Sequence, residues 1–89
     1  MADPVVTAIP LSTWVKVATN VTTGSILPLD KSALYLQTIR ATGNPAPTNG
    51  DYSDAKELDY EGAIIQASAA IDVYVAVYGS QAGSVRADL

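Results

Sequence analysis

An eight-residue run near the C-terminal end constrains the fold of this chain more than any other feature. In Ile71–Tyr78, branched apolar side chains occupy every second position, at Ile71, Val73, Val75 and Val77. Side chains of a β-strand alternate between the two faces of its sheet, so these four form one continuous apolar face. A helical period would scatter them around the helix axis. The run therefore predicts a half-buried antiparallel strand.

Short β-prone segments separated by turn residues make up the rest of the chain, and no segment combines helix caps with a 3.6-residue period. Besides residues 71–78, the expected strands are Val5–Ile9, Trp14–Ala18, Val21–Leu27, Ala33–Arg40, Ala63–Ser68 and Ser84–Leu89, with a short strand or a turn at Glu57–Glu61. The break Gly79–Gly83 predicts a C-terminal hairpin, and Ala69-Ala70 predicts a turn before its first strand. The sequence thus predicts an all-β fold, a small antiparallel β-sandwich or partly open barrel of about six to eight strands.

The length of 89 residues suits one domain, expected at residues 13–89, with an extended N-terminal arm at residues 1–12. Pro4 and Pro10 bound the apolar part of this arm. It is expected either to pack against a neighbouring subunit or lattice protein, or to form an edge strand of its own domain. Met1–Pro4 lacks the basic and apolar regions of a signal peptide, so synthesis in a cytoplasm without processing is expected.

Charge and composition exclude several classes of function. Five basic residues are scattered singly among nine acidic ones, for a net charge of −4, so nucleic-acid binding is not expected. The apolar runs are too short to span a bilayer. The absence of His and Cys removes the usual zinc ligands and any disulfide, and no cofactor is expected. Because a core of this size gives a thin stability margin, oligomerisation is the remaining means of compensation.

The polar residues do not form a convincing catalytic set. A serine or threonine nucleophile has no histidine to serve as its base, and solvated surface lysines are a better interpretation than a Ser–Lys pair. Five carboxylates crowd the segment Asp51–Glu61 at the end of the long loop Thr42–Lys56. A solvated acidic loop is favoured over glycoside hydrolysis, and Asp51-x-x-Asp54-x-x-Glu57 lacks the ligand spacing of a calcium loop. We therefore expect no enzymatic activity and no metal.

Four motifs follow one another along residues 13–89. They are Trp14-Val15-Lys16-Val17, Ala33-Leu34-Tyr35-Leu36, the loop Asn44-Pro45-Ala46-Pro47-Thr48, and Val73-Tyr74-Val75-Ala76-Val77 before a short terminal strand. In this order they resemble the small β-sandwich virion proteins of tailed bacteriophages, which include head decoration or cement proteins and the capsid- or tail-attached modules of fibres. The acidic stretch Asp51–Glu61 is richer than in that pattern and leaves the lattice partner open.

The resemblance implies a non-enzymatic protein that is made in the host bacterial cytoplasm and carried on the outer surface of the virion. The expected function is that of a capsid decoration or cement protein, most simply a homotrimer, that binds the major capsid protein and stabilises the assembled head. A neck, tail or fibre-base component is the alternative within the same family. A carbohydrate-binding module with Trp14 and Tyr52 at its groove is the alternative from another class.

Apolar and aromatic side chains outside the expected core are the candidates for contact with a partner. A free N-terminal arm would expose its apolar residues, and the tyrosines of the 71–78 strand lie opposite its valine face. Those tyrosines either face outward or are covered within the monomer. Trp14, the sole tryptophan, is expected in the core. The candidate partner-binding residues are Val5, Val6, Ile9, Tyr52, Tyr74 and Tyr78.

Overall fold

A computed structural model describes residues 4–89, and Met1–Asp3, the beginning of the expected arm, lie outside the described residues. Its six strands are β1 (Val5–Ile9), β2 (Val15–Pro28), β3 (Leu34–Ala41), β4 (Lys56–Leu58), β5 (Ala63–Tyr78) and β6 (Gly83–Asp88). They pair antiparallel in one curled sheet, a half-barrel with the order β1-β6-β2-β5-β3-β4. Residues 4–89 contain no helix, and so none that could cross a membrane. The prediction of a small all-β fold is confirmed.

Two strands are longer than the sequence predicted. β5 continues through Ala69-Ala70, where a turn was expected, and β2 joins two of the predicted segments across Asn20. The register between β2 and β5 shifts at three places, and within β2 the φ angles of Asn20 and Gly24 are 55° and 147°. Irregularities of this kind let a strand bend without ending. The expected turn at Ala69-Ala70 is therefore wrong: the chain bends there inside a continuous strand.

The predicted C-terminal hairpin is also wrong, because β6 does not pair with β5. It lies between β1 and β2, and Val85 stands opposite Thr7 on one side and Pro28 on the other. Both edges of β5 are already used, one by β3 along residues 71–78 and the other by β2 and by a bridge to Leu11. The break Gly79–Gly83 consequently carries the chain to a different part of the sheet.

The inner face of the curled sheet holds the main core. Val73, Val75 and Val77 are at most 1% exposed, as their alternation predicted. They pack with Ile9 and Val85, which are both fully buried. Fully apolar packing of this kind stabilises each such side chain by about 1.5–3 kcal/mol relative to water.

Within the described residues, the N-terminal segment is an edge strand and not a free arm. All five residues of β1 pair with β6, from Val5 opposite Ala87 to Ile9 opposite Gly83. Of the two alternatives for this segment, the structure has the strand within its own domain. Ile9 belongs to the core and has no surface to offer a partner, whereas Val5 and Val6 remain 57% and 62% exposed.

Candidate functional site

A second apolar cluster covers the outer face of β5. Trp14, Tyr74 and Ala76 are buried there, packed against Leu36, Tyr52 and Ala55. The rings of Trp14 and Tyr52 meet edge to face, with centroids 5.7 Å apart. Tyr74 is only 4% exposed, so β5 is covered on both faces within the monomer at this position, and Tyr74 is not available to a partner. The expectation that Trp14 belongs to the core is confirmed.

Hydrogen bonds from Trp14 hold the long loop against this cluster. Its backbone N–H donates to Oδ1 of Asn49 at 2.9 Å, and its indole Nε1 donates to the carbonyl oxygen of Asp51 at 3.1 Å. The loop therefore covers the outer face of β5 around Tyr74 and Ala76. Because Trp14 is 8% exposed beneath it, no open ring face remains on which a sugar could stack.

The two remaining tyrosine candidates lie partly at the surface. Tyr52 is half-buried, and its hydroxyl is enclosed without a hydrogen-bond partner among the described residues. Tyr78 is half-buried at the end of β5, opposite the 49% exposed Leu34. The structure does not bring these two rings together with Val5 and Val6, which lie on the edge strand β1.

The acidic loop residues are engaged in local contacts. Asp51 accepts a hydrogen bond from the backbone N–H of Ser53 at 3.1 Å, and hydrogen bonds from Ser53 hold the pKa of Asp51 below its ordinary value. Asp54 pairs with Arg40 at 2.9 Å. Residues 4–89 contain no group of three or more His, Cys, Asp or Glu placed to hold a metal ion. Of the three carboxylates weighed against a calcium loop, Asp51 thus serves turn geometry and Asp54 an ion pair.

The most enclosed carboxylate is Asp72, which sequence analysis did not single out. It is 3% exposed, and its Oδ1 accepts from the backbone N–H of Asn20 at 2.9 Å and from Oγ1 of Thr42 at 3.1 Å. Lys16 Nζ lies 3.7 Å from Oδ2. The Asn20 N–H above all, with Thr42 and Lys16, holds the pKa of Asp72 below its ordinary value against the opposing effect of burial. The sequence signal for this buried carboxylate was the position of an acidic residue inside the apolar run 71–77.

The contacts of Asp72 join three parts of the molecule. Asn20 lies at the bend of β2, Thr42 begins the long loop, and Asp72 itself lies on β5. Oδ1 of Asp72 accepts two hydrogen bonds, one from a backbone N–H and one from a hydroxyl group of the same chain. This arrangement fixes the β2 bend to the loop.

Ile64 is the most exposed large apolar residue of the described chain, at 83%. It lies on β5 where two shallow grooves meet. One groove, of about 360 Å³, also contains Ile39 and Lys56, and the other, of about 420 Å³, contains Glu61 and Arg86. Ala63 lines both grooves with Ile64. We refer to Ile39, Ala63 and Ile64 as the Ile64 patch; no sequence signal distinguished it, because period-two alternation does not say which face stays uncovered.

The chain was compared with models of known protein families, with curated proteins and with solved structures, and none of them matches it. The resemblance to phage virion proteins therefore stays a prediction that rests on the order of its sequence motifs.

Proposed function

We propose that this chain is a non-enzymatic structural protein of a tailed-phage virion, a decoration or cement protein that binds the outside of the assembled head. The sequence resemblance is the ground for a function in the virion, and the Ile64 patch is the surface through which the protein would attach to the head. The observation that carries the proposal is the 83% exposure of Ile64 on a long, paired strand. Exposed apolar side chains that lie together, as Ile64 and Ile39 do along one groove, mark a surface suited to contact with another protein.

The surroundings of the Ile64 patch fit the general anatomy of a protein interface. Ile64 and the 54% exposed Ile39 provide an apolar centre. Lys56 borders it on one side, and Glu61 and Arg86 border it on the other. Protein interfaces combine an apolar centre with a polar rim in this way, and the rim charges orient the partner.

Attachment of this kind stabilises a capsid by mass action. A protein whose binding surface on the partner exists only in the assembled lattice shifts the equilibrium toward that lattice. Burial of apolar side chains such as Ile64 and Ile39 contributes about 25 cal/mol for each Å² removed from water. Many copies on one head add their contributions, so a modest affinity per site is sufficient.

The test uses heads of the encoding phage that lack this protein, the purified chain, and two variants. Ile64→Asp places a charge at the centre of the patch and is expected to weaken head binding at least tenfold in co-sedimentation. Gln66→Asp adds the same charge two residues along the same exposed face of β5, and we expect it to bind like the wild type. Saturated heads should also release their DNA at a higher temperature than bare heads.

Two results would contradict the proposal. If labelled protein decorates necks, tails or fibre bases in electron micrographs and leaves heads bare, the chain belongs to another part of the virion. If wild-type protein binds no part of the particle, the virion function itself is wrong. Circular dichroism of both variants checks that a loss of binding does not come from unfolding.

A further inference from the structure

The outer edge of β1 is a free strand edge without the features that usually prevent pairing with another strand. β1 is the terminal strand of the sheet and pairs only with β6 among the described residues. Its sequence Val-Val-Thr-Ala-Ile carries no charge, and Val5 and Val6 are more than half exposed. Proteins usually block such edges with charges, with a bulge or with a covering segment. β1 has neither a charge nor a register shift, and prolines stand only at its two ends, at positions 4 and 10.

The hydrogen-bonding direction along β1 follows from its neighbour. The backbone N–H of Leu29 donates to the carbonyl of Ser84 at 2.9 Å, so the backbone groups of Ser84 point away from β1. Because these groups alternate along a strand, those of Val85 point toward β1, where the opposite residue is Thr7. Thr7 therefore bonds to β6, and the N–H and C=O groups of Val6 and Ala8 point outward from the free edge.

We propose that β1 of a second copy of this chain pairs antiparallel with this edge, around a two-fold axis at Thr7. In that register Val6 stands opposite Ala8 of the second copy and Ala8 opposite Val6 of the second copy, which gives four backbone hydrogen bonds. A register centred on Val6 or on Ala8 places a proline of one copy opposite one of these residues. Since proline has no N–H, an outward carbonyl would lose its partner. The Thr7 register alone satisfies every outward group of Val6 and Ala8.

The side chains of β1 are compatible with pairing to a second copy of the same strand. The strand presents only apolar residues and one threonine, so a second identical strand meets no like charge. Val6, which is 62% exposed in the single copy, stands opposite the exposed Ala8 of the second copy, so each strand covers apolar surface of the other. A contact of this kind uses the same surface of both copies and closes on itself, so it makes a dimer and not the trimer expected from the resemblance. The inference does not depend on the proposed attachment to a phage head.

A single cysteine tests the register directly, because the chain contains no Cys of its own. Thr7 is half-buried, and Cys has a similar volume. In the Thr7 register the two residues form a non-hydrogen-bonded pair with Cα atoms about 4.5 Å apart, within the range of about 4.4–6.8 Å that a disulfide spans. Thr7→Cys should therefore form a covalent dimer with oxidised glutathione. Two thiols give up two electrons and two protons, and one oxidised glutathione is reduced to two thiols.

Matched cysteines supply the control. Ala8→Cys faces Val6 of the second copy and not its own equivalent, so alone it should give no more than about a tenth of the Thr7→Cys dimer, on the alternation of facing pairs. A mixture of Val6→Cys and Ala8→Cys chains should yield the mixed dimer. Dimer yields are measured on non-reducing gels at micromolar chain concentration.

Sedimentation of the cysteine-free protein completes the test. The wild type is expected to be a dimer at micromolar concentration. Val6→Lys adds a charge at a position that is 62% exposed in the single copy, so it should leave the fold intact by circular dichroism and raise the dimer dissociation constant at least tenfold. A monomeric wild type, a trimer, or a dimer that neither responds to Val6→Lys nor cross-links through Thr7→Cys would overturn the inference.

Discussion

The buried carboxyl group of Asp72 links the stability of this protein to pH. Its pKa is held below the ordinary value by the Asn20 N–H, with help from Thr42 and Lys16, because each favours the ionised form. A carboxyl whose pKa is lower in the folded than in the unfolded state stabilises the fold above its unfolded pKa of about 3.9. That contribution is lost as the pH falls through the folded pKa.

The variant Asp72→Asn isolates this effect. The amide oxygen still accepts from both donors, but the side chain no longer carries the charge that Lys16 faces at 3.7 Å. We expect Asp72→Asn to be less stable than the wild type at pH 7, and the difference to shrink as the pH falls below about 4. Urea denaturation at pH 7, 4 and 2.5 measures it. A difference that is constant across this range would show that Asp72 does not titrate on unfolding.

Tyr74 shows what alternation in a sequence can and cannot predict. The period-two pattern correctly predicted that the valines of β5 face the core. It left open whether the opposite side of the strand faces water or other parts of the chain. The answer depends on Trp14 and on the loop bonds to Asn49 and Asp51, which lie 35 and 37 residues away in sequence from Trp14. Contacts between residues so far apart in sequence leave no local signal. The burial of Tyr74 therefore could not be predicted from the residues around it.

The turn between β4 and β5 depends on a glycine for steric reasons. Gly62 has a φ of +89°, and a Cβ there would lie 2.5 Å from the carbonyl oxygen of Ile26. Gly50, in the long loop, has a φ of +86° but no atom within 4 Å of its would-be Cβ. The two positions share the backbone conformation and differ only in the space available.

Substitution of each glycine by alanine should therefore separate the cost of a strained backbone from the cost of a steric clash with a neighbouring atom. Gly50→Ala is expected to cost about 1–2 kcal/mol, because a non-glycine residue is strained at positive φ. Gly62→Ala adds the displacement of a backbone carbonyl of β2 and should cost at least about 2 kcal/mol more, in line with other strongly destabilising backbone clashes. Chemical denaturation of both variants gives the comparison. Equal losses would mean that the β4–β5 turn moves freely away from β2.

The order of the strands was the part of the fold that the sequence could not predict. Strand and turn signals located β1, β3 and β6 to within one residue at each end and divided β2 and β5 into two segments each, since these signals depend on local composition. The turn residues Gly79–Gly83 correctly predicted where β5 ends, but they wrongly predicted that the following strand pairs with β5. Pairing depends on which strand edges remain unoccupied, and β5 has β2 and β3 on its two sides. The Ile64 patch was missed for the same reason, because the uncovered face is defined by the elements that do not pack on it.

β6, the last of the six strands in chain order, completes the sheet. It lies inside the sheet, and among the strands of residues 4–89 it alone joins β1 to β2. It contributes Val85 and Ala87, which are 0% and 2% exposed, to the core. Non-local strand pairing of this kind slows folding, because loop-closure entropy is lost before the contacts form. β1 therefore cannot join the sheet until β6 is available.

Truncation tests this dependence. Removal of residues 84–89 takes away the partner of β1 and a neighbour of β2, along with about 2 kcal/mol of burial at Val85 alone. A small domain has only about 5–15 kcal/mol of total stability, and β1 would lose all of its strand pairing. We expect the truncated chain to lack cooperative thermal unfolding by circular dichroism. Removal of Leu89 alone, which is 38% exposed, should leave the transition in place. If the chain ending at Gly83 still unfolds cooperatively, β2, β3 and β5 form a stable sheet by themselves, and β6 serves mainly to hold the β1 edge in position for a second copy.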